Sequence, residues 1–132
     1  MKGHQQTVEI LTWLYNEGLC ISVITFAEVY EGIYRFVKEK RNKLEESFQD
    51  FLSGVQILNI DENIVKIFAE QRSILRKENK LIDNFDLLIG STAIYYNLEL
   101  LTNNVKHFER INNLKLHNLN DFSDMPNKYV YQ

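Results

Sequence analysis

Hydrophobic and polar positions divide this chain into short apolar runs and longer stretches in which apolar residues recur at helical spacing. The apolar runs predict strands over 19–22, 55–60, 99–102 and 114–116. The helical spacing predicts helices over 8–16, 25–36, 42–53, 61–77 and 86–97. Strands that alternate with helices are typical of βαβ units. We therefore predict an α/β fold with a mostly parallel sheet flanked by helices.

Acidic residues stand near three predicted helix starts, where capping alone would explain them. Thr25 and Glu28 have the spacing of a capping box, in which each side chain binds a free backbone N–H of the first turn. Asp61 and Asp86 each precede an apolar stretch, as an N-cap residue does. None of these residues, taken singly, requires a function.

Composition limits the classes of protein to consider. The chain has 132 residues, a net charge of −3 and 45% hydrophobic residues, which fits one globular domain. We predict a domain over 1–119 and a loosely ordered tail over 120–132 that holds the single proline. No apolar run is long enough for a membrane span, and we expect a cytoplasmic protein. One cysteine and three scattered histidines argue against structural zinc.

The charge distribution bears on nucleic-acid binding. A protein that coats nucleic acid usually has a basic face, whereas this chain is acidic. It does contain a local basic cluster, formed by Lys38, Lys40, Arg41 and Lys43. Divalent cations can neutralise carboxylates beside a phosphate, so an acidic chain remains compatible with a metal-dependent nuclease.

Two carboxylates and one amide are expected near one edge of the predicted sheet. Glu28 follows the strand over 19–22, and Asn104 follows the strand over 99–102. Asp86 begins the helix that leads into the second of these strands, so its position at the edge is less fixed. Groups at the carboxyl ends of parallel strands converge in one crevice. Their oxygen atoms would suit Mg²⁺ or Mn²⁺, which can activate water for attack on a phosphodiester.

Three segments carry a family resemblance that extends over about Val8–Leu119. Ile21–Gly32 resembles a Ser-x-x-Thr-x-x-Glu-Leu-x-x-Gly motif, Asp86–Ala93 resembles an Asp-x-x-Ile-Ala-Ala-x-Ala helix, and Leu101–Phe108 resembles the strand and turn after it. In combination they resemble the PIN-domain nucleases, and among these the VapC-type toxins of toxin–antitoxin pairs. The resemblance implies an Mg²⁺-dependent endoribonuclease with an RNA substrate, a VapB-like antitoxin partner and a homodimer.

The resemblance also assigns roles to residues. Glu28 matches the family's second acid and Asp86 its third, which implies that both bind the metal and act in catalysis. Asn104 stands where many members have a fourth acid, and it would support the metal or position water. Ser22 and Thr25 would shape the turn that presents Glu28, and Thr102 would be a polar neighbour of the site.

The chain departs from the family at its start. The family's first strand has the form apolar-apolar-Asp-Thr/Ser-Asn, and Met1–Gln6 contains no such segment. That strand is central in the family sheet, so its neighbours would lose a hydrogen-bonding partner, and the site would lose a metal ligand. A chain that starts too late, a degenerate domain that binds without cutting, and a strand supplied by another chain are all open explanations.

We therefore expect a VapC-like, Mg²⁺-dependent endoribonuclease of a type II toxin–antitoxin system, with Mn²⁺ as the alternative ion. The absent first acid would impair it. The alternative hypothesis is a non-catalytic PIN-like interaction module or a truncated relic. A third interpretation is an unrelated α/β domain with well-capped helices.

Overall fold

The computed structural model describes residues 18–118 and the backbone of Tyr129–Tyr131. The strands are β1 (Leu19–Ser22), β2 (Gln56–Leu58), β3 (Glu99–Thr102), β4 (Leu116–Asn118) and β5 (Tyr129–Tyr131). The helices are α1 (Val23–Tyr34), α2 (Lys38–Leu52), α3 (Glu62–Lys77), α4 (Asn84–Tyr95) and α5 (Val105–Phe108). The helix predicted over 8–16 lies outside the described residues.

The five strands form one sheet in the order β2-β1-β5-β3-β4, and every neighbouring pair is parallel. The predicted α/β class with a parallel sheet is confirmed. All residues of β1 are buried, as expected for a parallel strand that is covered on both faces. Because the strands are parallel, their carboxyl ends share one edge, where β1 ends at Ser22 and Asn103 and Asn104 follow β3.

The centre of the sheet is occupied by β5, the last described segment of the chain. β5 pairs with β1 over Leu19–Ile21 and with β3 over Glu99–Leu101. From the sequence, the neighbours of the family's missing first strand were expected to lose a hydrogen-bonding partner, and these three residues were placed in a loosely ordered tail. Their Tyr-Val-Tyr sequence favours a strand, but three residues are too few for a periodic signal. Residues 119–128 lie outside the described ranges.

Two apolar clusters cover the two faces of the sheet. Residues alternate between the faces along each strand, so Cys20 and Leu100 lie in one cluster and Leu19, Ile21 and Leu101 in the other. The first cluster includes the buried side of α4, and the second includes phenylalanines from α1 and α2. The sheet is therefore enclosed between helical layers.

Helix α4 is the most deeply buried helix in the described part of the chain. Its buried residues are Leu87, Ile89, Gly90, Ser91, Thr92 and Ala93. Two of them are polar, and each hydroxyl donates a hydrogen bond to the carbonyl four residues earlier, at 2.7 Å for Ser91 and 2.8 Å for Thr92. A buried hydroxyl that is paired in this way avoids a desolvation penalty. Among the described residues, no helix is long and apolar enough to span a membrane.

Candidate active site

Helix α1 presents Glu28 from its second turn. The helix begins at Val23, and Ser22 is its N-cap, with Oγ accepting a hydrogen bond from the Ile24 N–H at 3.0 Å. The predicted capping box of Thr25 and Glu28 is therefore wrong, because the cap lies three residues earlier. Thr25 is buried and its Oγ1 has no hydrogen-bond partner, while Glu28 is exposed and free of a capping role.

Helix α4 presents Asp86 from its first turn. The helix begins at Asn84, and its N-cap is Asp83, whose Oδ2 accepts hydrogen bonds from the N–H groups of Phe85 and Asp86. The expectation that Asp86 is the N-cap is therefore wrong by three residues. Its side chain is 14% exposed and is available for another role. The expected N-cap Asp61 is confirmed, since its Oδ1 accepts from the Ile64 N–H.

The segment after β3 brings a third group to this edge. The buried Thr102 accepts a hydrogen bond at Oγ1 from the Asn104 N–H at 2.9 Å, and this bond shapes the turn. Asn104 is the N-cap of the short helix α5, and its Nδ2 lies 2.9 Å from Nδ1 of His107. The same His107 nitrogen lies 3.6 Å from Oδ2 of Asp86. His107 therefore connects Asp86 with Asn104.

The amide orientation of Asn104 determines the proton position on His107. An amide nitrogen only donates, so with Nδ2 facing the ring, Nδ1 of His107 accepts and the ring proton is on Nε2. Rotation of the amide by half a turn would present Oδ1 instead and would let Nδ1–H donate. In both orientations the ring stays beside the Asp86 carboxylate.

Helix contacts bring the predicted site residues together. Helix α1 packs against α4, and α4 packs against α5. The three helices carry Glu28, Asp86 and Asn104 respectively. His107 belongs to the same group, although the sequence analysis did not select it. Its spacing of three residues from Asn104 was an available signal, because residues three apart on a helix are neighbours.

The carboxylates of the site repel one another. Partial burial raises the pKa of Glu28, and the negative charges of Asp86 and then Asp83 raise it further. Burial is also the main cause that raises the pKa of Asp86, with a further increase from Asp83. His107 lowers the pKa of Asp86 by hydrogen bonding and by charge when its Nδ1 carries a proton, which corresponds to the Asn104 amide oriented with Oδ1 toward the ring. A cation placed between these groups would relieve the repulsion.

The donor set suits a cation that is bound partly by water and substrate. Within the described residues, no group of three or more His, Cys, Asp or Glu side chains is arranged to hold a metal ion. An enclosed all-protein metal site is therefore not formed there. Mg²⁺ is commonly held by one or two carboxylates together with water and phosphate oxygens, and Glu28 and Asp86 fit that pattern.

Comparison with known proteins identifies the family. The PIN-domain family profile matches residues 1–114, which is most of the chain. The chain belongs to the PIN-domain family. The PIN fold explains why Glu28, Asp86 and Asn104 meet at one sheet edge although they are far apart in sequence.

Several relatives of this PIN domain are named ribonucleases. Ribonuclease VapC2 of Rickettsia felis is 37% identical over 103 residues, which is 78% of this chain and 75% of that protein. Ribonuclease VapC2 of Haemophilus influenzae is 34% identical over 116 residues, 86% of each chain.

Solved structures share the fold. A crystal structure of VapBC2 from Rickettsia felis, bound to a DNA fragment from its promoter, matches with a TM-score of 0.71 and 36% identity over 76% of this chain and 74% of that one. VapBC-1 from nontypeable Haemophilus influenzae matches with a TM-score of 0.73 and 28% identity over 79% and 76%.

Proposed function

We propose that this protein is a VapC-type endoribonuclease that uses a divalent cation, Mg²⁺ or Mn²⁺, to hydrolyse RNA. One observation carries the proposal. Helices α1 and α4 pack against each other and hold Glu28 and Asp86 near enough that the charge of Asp86 raises the pKa of Glu28. Two carboxylates that repel each other in the PIN fold are suited to a cation and a phosphodiester.

The side chains would divide the work as follows. Glu28 and Asp86 would bind the cation, which supplies an activated water and charge stabilisation at the phosphate. Asn104 would orient water or the imidazole of His107, to which it is hydrogen-bonded. His107 would hold Asp86 in position, as outer hydrogen-bond partners commonly do for metal ligands.

We propose a cytoplasmic toxin with a VapB-like antitoxin as its partner. The support is that the similar solved structures from Rickettsia felis and Haemophilus influenzae are VapBC complexes. The expected homodimer rests on the family resemblance and can be tested by light scattering of the purified chain.

RNA cleavage tests the catalytic proposal. We expect the wild-type chain with Mn²⁺ to cut a mixed pool of labelled RNA. Asp86→Asn should lower the rate by about 100-fold or more, because it removes one of two carboxylates that would bind the cation. Asp50→Asn, an exposed residue on α2, is the matched control and should cut normally. Equal cleavage by wild type and Asp86→Asn would contradict the proposed site.

The second candidate function is a non-catalytic interaction module. It is favoured by the absence of a three-ligand group among residues 18–118. Calorimetric titration with Mn²⁺ separates the two functions without knowledge of the RNA. Binding that is lost in both Glu28→Ala and Asp86→Ala supports the enzyme. A folded wild-type chain that neither binds Mn²⁺ nor cuts RNA supports the interaction module.

A further inference from the structure

The corner between α1 and α2 exposes aromatic and aliphatic side chains that the proposed active site does not use. Tyr34 is 55% exposed, Phe36 42% and Val37 76%. Two of these residues are aromatic and adjoin the basic cluster seen in the sequence. We name the surface formed by Tyr34, Phe36, Lys38, Lys40 and Lys43 the corner patch.

The corner patch is basic in an acidic protein. Residues 34–43 contain five basic residues and one acidic residue, although the chain as a whole has a net charge of −3. Lys38, Lys40 and Lys43 are all exposed. A concentration of one sign of charge on an otherwise oppositely charged surface attracts ligands of the other sign to that place. The ligand that suits this corner is therefore an anion.

Arg41 binds the backbone of the two exposed aromatic residues. Its Nη2 donates hydrogen bonds to the carbonyl oxygens of Tyr34 at 3.1 Å and Phe36 at 3.3 Å. Its guanidinium carbon also lies 5.3 Å from the centre of the Tyr34 ring. The backbone of the corner is thus fixed at both positions, so the two rings are presented without the freedom of a loose loop.

Cations and aromatic rings alternate on this surface. Lys40 Nζ lies over the Phe36 ring, 4.4 Å from its centre, so an ammonium group covers one face of a ring that is 42% exposed. Proteins that bind single-stranded nucleic acid combine basic side chains for the phosphates with aromatic rings for the bases. An acidic peptide would use the charges but would not need the exposed rings.

We propose that the corner patch binds single-stranded RNA beside the segment that is cut. The inference rests on the proposed ribonuclease function and adds a second contact region for the same substrate. Glu28 and Tyr34 are six residues apart on α1, about 9 Å along the helix axis. At 3.6 residues per turn the two side chains are also about 120° apart around the axis, so an RNA strand that reaches the carboxylates would curve around α1 to the corner.

RNA binding without cleavage tests the inference directly. The probe is a fluorescein-labelled 12-nucleotide single-stranded RNA in EDTA, with affinity measured by fluorescence anisotropy. Phe36→Ala combined with Lys40→Ala should weaken binding about tenfold or more, since it removes a stacking surface and a phosphate contact. The matched control is Val65→Ala combined with Lys66→Ala, which removes an exposed apolar residue and an adjacent lysine from α3 and should bind as wild type.

A second variant that changes only lysines tests the corner patch in case Phe36→Ala impairs folding. Lys38→Ala combined with Lys43→Ala alters two exposed side chains, and it should weaken RNA binding and reduce its dependence on salt concentration. Wild-type affinity in both corner variants, or no RNA binding by the wild-type chain, would overturn the inference. The inference would also be overturned if the corner variants lost affinity for an oligoglutamate peptide but kept wild-type affinity for RNA.

The two proposals fail in different ways. Asp86→Asn should still bind the labelled RNA in EDTA while losing cleavage with Mn²⁺. If the corner variants bind and cut as well as wild type, the corner inference fails and the nuclease stands. If the wild-type chain binds RNA through the corner but never cuts it, the nuclease proposal fails.

Discussion

The pKa of Asp86 is set by opposing effects of its neighbours. Burial and the charge of Asp83 favour its neutral form, whereas His107 favours the ionised form. The net effect is a raised pKa, so the folded state holds the proton more readily than the unfolded state. As the pH rises through the raised pKa, the folded state must bury a charge and loses stability.

The first prediction concerns the stability of Asp86→Asn at different pH values. In EDTA at pH 7.5 we expect a melting temperature about 1–3 °C above that of wild type, because the buried charge is removed. The difference should shrink as the pH falls below the ordinary Asp pKa of 3.8, because the wild-type carboxyl then becomes neutral in both states. Calorimetry over this range is the measurement. A variant less stable than wild type at pH 7.5 would contradict the raised pKa.

The second prediction concerns His107, whose ring lies beside Asp86 and Asn104. His107→Ala should lower Mn²⁺ affinity by about 10–100-fold, because the carboxylate and the amide both lose the group that orients them. Titration calorimetry measures the change. Lys106→Ala alters the exposed neighbouring residue and serves as the control. Unchanged affinity in His107→Ala would show that the imidazole does not position the site.

Among the helices and strands, the N-cap residues of helices were the hardest feature to predict from the sequence. Ser22 and Thr25 are both good N-cap residues, and so are Asp83 and Asp86. Composition cannot decide between them, because the choice depends on which side chain reaches a free N–H in three dimensions. By contrast, β1, β3 and α3 were predicted from apolar positions: β1 is buried throughout, β3 is buried after Glu99, and α3 is buried along one face.

The third prediction separates the two candidate caps of α1. Ser22→Ala should lower the free energy of unfolding by about 1 kcal/mol, because it removes the acceptor for the Ile24 N–H. Thr25→Val should leave stability unchanged or slightly raised, since its buried hydroxyl has no partner. Urea unfolding measures both. The opposite order would restore the capping box that the sequence suggested.

At the scale of the whole molecule, the centre of the sheet is the feature that the sequence could not predict. The site residues Glu28, Asp86 and Asn104 could be selected because each lies in a motif. The position of β5 follows from pairing with two strands that are distant in the chain, and no local pattern records that pairing. His107 was overlooked for a related reason, since its importance comes from contacts and not from a motif.

The fourth prediction tests the central position of β5. Val130→Pro removes a backbone N–H from a strand that has neighbours on both sides. We expect a loss of about 1–3 kcal/mol in the free energy of unfolding, because a buried acceptor on a neighbouring strand is left unpaired. Urea denaturation is the measurement. Ser73→Ala, at an exposed position on α3, is the control and should leave stability unchanged. Wild-type stability in Val130→Pro would exclude the central pairing.

The place of β5 also determines when the protein can fold. Leu19 pairs with Tyr129, over a hundred residues later in the chain, and Glu99 pairs with the same residue. Until residues 129–131 have left the ribosome, β1 with β2 and β3 with β4 are two separate half-sheets. Pairings between distant segments slow folding. The edge where Glu28, Asp86 and Asn104 meet is therefore assembled only after synthesis has passed the whole described chain.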